Sequence, residues 1–165
     1  MSNLNSLSHF LPELILTVTV LTAVIADLFY HKDESRKVAW WVLGGLALTL
    51  FAIQMGGSTV TDLFMGTIAL DPFSEYFKIL VLIATVLVIL TSFNSNELQD
   101  YRVGEYYSIL AIMVFGLFLM ASAIDILMVY LAIEVVSIMS FFLAGYLKKN
   151  PHSNEASLKY VIYGA

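Results

Sequence analysis

Glu134 is the only charged residue in a long apolar run from Ile126 to Leu147. An ionisable side chain at bilayer depth is costly, about 2.5–3.5 kcal/mol for Asp, Lys or Arg at a helix centre. Such groups are kept where ions or protons move, so Glu134 is the first candidate for chemistry. Desolvation favours the neutral acid and a nearby cation favours the anion. A carboxyl held between those effects can gain and lose a proton near neutral pH. At helical spacing its face holds Leu127, Tyr130, Ser137, Ile138, Phe141 and Gly145. Tyr130 and Ser137, with Ser140 close by, could hydrogen-bond the carboxyl or order water. The competing reading is a neutral acid that bonds across helices as packing glue.

Lys159 is the second candidate. In a helix that starts near Asn154 it sits about 8 Å from the inner end, whereas Glu134 lies roughly 20 Å from that face. The gap of about 12 Å exceeds a lysine's reach of about 6 Å. Lys159 is therefore not expected to pair with Glu134 directly. It either snorkels to the interface or stands at the inner entrance of a water path. The other charges read as structure. Glu13 follows Pro12 in a first helical turn, where the helix dipole favours an acid. Asp27 is expected to reach interfacial water. Glu75 and Lys78 are spaced as an i, i+3 pair, Asp71-Pro72 reads as a turn, and His31–Lys37 reads as a solvated loop.

The elements that must position these groups follow from composition. The chain has 165 residues, 59% hydrophobic and 13% charged, with mean hydropathy +0.84. A soluble domain is nearer half apolar and a quarter charged, so the fold class is an all-α, polytopic transmembrane bundle. Spans of the length a bilayer needs can be drawn at 11–29, 38–55, 77–93, 106–123 and 126–147. A helix at 154–165 reads as the start of a sixth span in a longer protein, with a surface-lying helix as the alternative. Trp40 and Trp41, and Tyr106 and Tyr107, stand where interfacial anchors belong. The Gly- and Thr-rich stretch Gly56–Asp71 reads as a folded, partly extended loop. Ser122-Ala-Ile-Asp125 carries a helix-start pattern, so the fourth and fifth spans form a tight antiparallel hairpin with Asp125 as a cap.

Lys32, Arg36, Lys37, Arg102, Lys148 and Lys149 all fall in the loops after spans one, three and five. The positive-inside rule then places the N-terminus outside and those loops in the cytoplasm. Cysteine is absent and the three histidines lie near segment ends, which excludes disulfides, thiolate zinc and cysteine-ligated iron–sulfur clusters. No phosphate loop, nucleophile elbow, metal spacing or basic stripe for nucleic acid is visible. No catalytic, cofactor-binding or metal-ligating residue is therefore expected in this chain, and its expected surroundings are lipid and protons.

The string Ile133-Glu134-Val-Val-Ser137-Ile-Met-Ser140-Phe, followed by Gly145-Tyr146, Lys148-Lys149, Ser153-Asn154-Glu155-Ala156, Lys159-Tyr160 and Gly164-Ala165, resembles subunit N of proton-pumping NADH–quinone oxidoreductase. Pro12-Glu13-Leu14 and Asp71-Pro72-Phe73 resemble the same family. The resemblance runs along the whole chain, is sharpest from Asp125 onwards, and is partly shared by related antiporter-like subunits. It implies a single membrane domain, the N-terminal third of a subunit of about fourteen helices built from inverted repeats. It implies a bacterial-type inner membrane, other membrane subunits as partners, and NADH and quinone used elsewhere in the complex. It also implies that Glu134 pairs with a lysine beyond Ala165 and that Lys159 belongs to the inner polar path. The expected function is proton translocation. A cation/proton antiporter subunit and a purely structural membrane subunit are the alternatives.

Overall fold

The computed structural model describes residues 9–31, 34–56, 61–95, 97–98 and 101–164. Lys32, loop residues 57–60 and Ala165, which entered the expectations above, lie outside the described residues. Six helices carry the fold: α1 Leu11–Phe29, α2 Lys37–Gly56, α3 Pro72–Ser92, α4 Val103–Ser122, α5 Ile126–Ala144 and α6 Pro151–Gly164. The first five are long and apolar enough to cross a membrane, with mean hydropathy between 1.7 and 2.3. The chain is an all-α polytopic bundle, as its composition requires.

Several boundaries differ from the sequence expectation. The third span begins at Pro72 rather than 77. Asp71-Pro72 is its cap and first residue rather than a separate turn. The Asp71 carboxylate accepts from Ser74 N at 2.8 Å while Ser74 Oγ accepts from Asp71 N at 3.3 Å, so both orphan amides are satisfied reciprocally. Asp71→Ala should cost about 1 kcal/mol. The check is the unfolding midpoint of the detergent-solubilised protein, and an unchanged midpoint would show the cap idle. The fourth span begins at Val103 rather than 106. The fifth ends at Ala144 rather than 147, and α6 begins at Pro151 rather than 154. The reason lies at Gly145, where a Cβ would stand 2.8 Å from Ser157 Cβ and Oγ. The returning helix needs that space.

Between α2 and α3 lies a short antiparallel hairpin, β1 Thr61–Leu63 and β2 Ile68–Leu70, with Leu63 opposite Ile68. Phe64, Met65 and Gly66 turn it with positive φ. Ile68 bridges Ala123, and Ile124 N donates to Thr67 O at 3.0 Å. The loop expected to be partly extended is thus pinned across the tight α4–α5 turn.

The core is built around α4, which packs against α1, α2, α3 and α5. Tyr107, Leu110, Ala111, Val114 and Phe118 are buried there with Leu16, Val42, Leu46, Leu82 and Ile89. The Tyr107 and Ser92 hydroxyls share a hydrogen bond of 2.9 Å. At Gly116 a Cβ would meet Val135 and Val136 at 2.9 Å, so a bare backbone lets α5 lie close. At the other end of the bundle from the hairpin, the exposed Glu34 and Lys37 pair at 2.5 Å. That hydrogen bond and the lysine's charge hold the Glu34 carboxyl below its ordinary range.

Candidate proton-relay site

Asp125 starts α5, its carboxylate accepting from Leu127 N at 3.1 Å. That is the capping role expected from the sequence. α5 is the most apolar of the spans, yet Ala132 is its one buried residue. Val135 and Val136 lie against Gly116 of α4, while the opposite face is left open by the described residues. Glu134 is exposed on it, beside Tyr130, Leu131, Ile133 and Ile138, which are exposed as well. Among the described residues, no hydrogen bond or ion pair reaches Glu134.

The two serines expected near Glu134 are used differently. Ser140 Oγ donates to Ser137 O at 2.7 Å and to the Tyr160 hydroxyl at 3.2 Å. Ser140 ties α5 to α6 rather than to the carboxyl, and Ser137 enters through its carbonyl within α5. α6 folds back along the end of α5. Ser153 Oγ donates to Ala144 O at 2.7 Å, and Ser157 Oγ donates to Phe141 O at 3.0 Å. Ser153 satisfies a carbonyl at the helix end, and Ser157 adds a second bond to the Phe141 carbonyl, which also accepts from Gly145 N at 3.2 Å. The Phe141 and Tyr160 rings meet edge to face at 4.9 Å. A cleft of about 220 Å³ remains between the two helices, lined by Ile138, Phe141, Phe142, Gly145, Ser157 and Val161. It begins one turn past Glu134.

Lys159 pairs with Glu155 at 2.6 Å, both exposed, on α6 itself. The structure does not bring it to Glu134, in agreement with the depth argument.

Two ion pairs correct the sequence reading. Glu13 is not simply a first-turn acid. Its Oε1 accepts from Lys78 Nζ at 2.5 Å, and both side chains are 1% exposed. Lys78 therefore reaches across from α3 to α1, besides being spaced for Glu75. Nor does Asp27 reach interfacial water. It is buried, with Oδ2 at 3.5 Å from Arg102 Nε. Arg102 also donates to the carbonyls of Asp27 and Tyr30, where α1 ends. The Tyr146 hydroxyl donates to Arg102 O at 2.5 Å. A signal for both pairs was present. Glu13, Leu16, Thr19, Ala23 and Asp27 form one buried stripe of α1, and Lys78, Leu82, Thr85 and Ile89 form one of α3. Each charge shares the helical face of small or apolar core residues.

Residues 123–165, which contain α5 and α6, match the family described as NADH:quinone oxidoreductase/Mrp antiporter, TM. NADH-quinone oxidoreductase subunit N 2 of Chloroherpeton thalassium is 40% identical over 96% of this chain and 32% of its own length. The chain is a relative of NADH-quinone oxidoreductase subunit N. A subunit N from Anaeromyxobacter is also 40% identical, over 98% of this chain and 32% of its own. The chloroplastic NAD(P)H-quinone oxidoreductase subunit 2 of Mesostigma viride is 32% identical over 94% and 31%. The chain spans about a third of the length of the curated relatives it matches. Its five spans and its bacterial subunit N relatives make it a multi-pass inner-membrane protein. Both relay candidates, Glu134 and Lys159, fall inside the family match.

Proposed function

We propose that this chain is part of a membrane subunit of NADH–quinone oxidoreductase that translocates protons, driven by quinone reduction in other subunits. The observation that carries the reading is Glu134 on the uncovered face of α5. A carboxyl there needs a partner from outside these residues, because lipid cannot solvate it. In the proposed subunit a lysine from a following helix supplies that partner, and its approach and retreat change the proton affinity of Glu134. Moving one charge against the membrane potential costs about 2.3 kcal/mol per 100 mV. A hundredfold change in proton affinity corresponds to about 2.7 kcal/mol, so coupling of this kind is on the right scale. Lys159, on the exposed helix beyond, would stand at the inner entrance of the path. NADH and quinone would be handled by other chains, with neighbouring membrane subunits and lipid covering α5 and α6.

The test is Glu134→Gln in the full subunit within the assembled complex, read as protons pumped per NADH oxidised in vesicles. The expected result is a fall of at least about twofold, as for loss of a membrane-embedded relay group. Normal pumping by an assembled variant would sink the relay role. Lower assembly with a normal ratio would favour the structural reading instead. The family description also names an antiporter. Sodium transport that is driven by an imposed proton gradient and abolished by a protonophore would favour that alternative.

A further inference from the structure

We propose that Glu13 and Lys78 form a second proton-binding pair, which exchanges its proton with the aqueous phase at the N-terminal end of the bundle. The proposal rests on the proton-transport reading above and adds a site to it. The pair joins helices whose charges are 65 residues apart, and each side chain is 1% exposed. Stability does not call for such a pair, since well-packed apolar groups of similar volume serve as well or better.

The hydrogen bonding is also incomplete. Glu13 Oε1 takes the Lys78 bond, while Oε2 is buried and without a partner. An oxygen in that position is costly as mere packing, but it is free to take a proton. A hydronium ion gives its proton to Oε2: one hydronium O–H bond breaks, one carboxyl O–H bond forms, water is left, and the charge of the pair rises from zero to plus one. Release to water is the reverse. Lys78 has somewhere to place its charge meanwhile. Its Nζ lies 5.9 Å from the centre of the Phe118 ring, within the range of a cation–π contact.

An approach to the lysine side of the pair lies at the same end, with Pro12 next to Glu13 on its wall. A cavity of about 440 Å³ borders Lys78 and is lined by His9, Pro12, Ile15, Glu75 and the last turns of α2. His9, Glu75 and Lys78 are its titratable groups, one just before α1 and two a single turn apart on α3. From α2, β2 and α4 come Phe51, Leu70 and Phe118, which bring no charge. Glu13 is the third residue of α1 and Lys78 the seventh of α3, while Glu134 is the ninth of α5. The pair thus sits about 3–9 Å from the helix starts, against about 12 Å for Glu134. It lies at a shallower level, on the far side of α4.

The experiment uses the assembled complex and the variants Glu13→Gln, Glu13→Asp and Glu13→Gln/Lys78→Met. Infrared difference spectra are recorded while the pH on the N-terminal side is stepped, and pumping is measured in vesicles. A protonated-carboxyl band should form on acidification, vanish in Glu13→Gln and shift in Glu13→Asp. The double variant, which leaves no stranded charge, should reduce quinone normally yet pump at a ratio lower by about twofold, as for loss of an intramembrane proton site. A band unchanged in Glu13→Gln, or normal pumping by the double variant, overturns the proposal and leaves the pair a helix clamp. If Glu134→Gln stops pumping while the double variant pumps normally, this inference fails and the relay reading stands. If Glu134→Gln pumps normally, the relay reading itself has failed.

Discussion

Methionine in place of Lys78 is expected to destabilise the bundle by about 3–5 kcal/mol. Methionine fills nearly the same volume, so the loss is electrostatic. Glu13 would be left 1% exposed, with Oε1 stripped of its one bond and Oε2 already without a partner. Desolvation of an unpaired charge is the dominant cost, which is why the whole pair matters less than either half. Glu13→Gln/Lys78→Met should accordingly recover most of the loss, to within about 1–2 kcal/mol of the unaltered protein. Denaturant unfolding of the detergent-solubilised subunit measures both. A loss below about 1 kcal/mol for the single variant would mean that water reaches Glu13.

Arg102→Met is expected to cost less, about 2–3 kcal/mol. Asp27 is buried, though less fully than Glu13, and the Arg102 side chain is 37% exposed, so solvent already screens the pair. Much of the effect comes from the backbone. The guanidinium donates to the carbonyls of Asp27 and Tyr30 as well as facing the carboxylate. Removing it strips donors from the end of α1 and loosens α1 from the start of α4. Gly104 marks how tight that junction is, because a Cβ there would overlap Asp27 Oδ1. Arg102→Lys should recover only part of the stability, since a compact ammonium cannot span three acceptors as a planar fork does. Equal unfolding midpoints for Arg102→Lys and the unaltered protein would count against this account.

Much of the architecture was legible in the residues. The number of spans, the hairpin between α4 and α5 and the cap at Asp125 follow from run length, turn length and an acid at a helix start. These are local properties. So is the singularity of Glu134, whose cost comes from its own apolar neighbours in sequence. The separation of Lys159 from Glu134 was legible too, because depth along a helix is residue count times a fixed rise.

Contacts across helices were not legible in the same way. Glu13 meets Lys78 and Asp27 meets Arg102 over separations of 65 and 75 residues. Which face of each helix turns inward decides those meetings. In a membrane bundle almost every face is apolar, so hydropathy marks a span clearly and its inner face only faintly. Ser137 and Ser140 show the same limit. Helical spacing put them near the carboxyl, but the return of α6 beside Gly145 draws Ser140 to Tyr160. The sequence by itself determined that Glu134 is a costly acid with no reachable partner on α6. Only the tertiary structure decided that it lies on a face the described residues leave uncovered, and that two other acids are already matched with cations inside. Span length and depth are one-dimensional quantities, whereas helix rotation and register are set by packing.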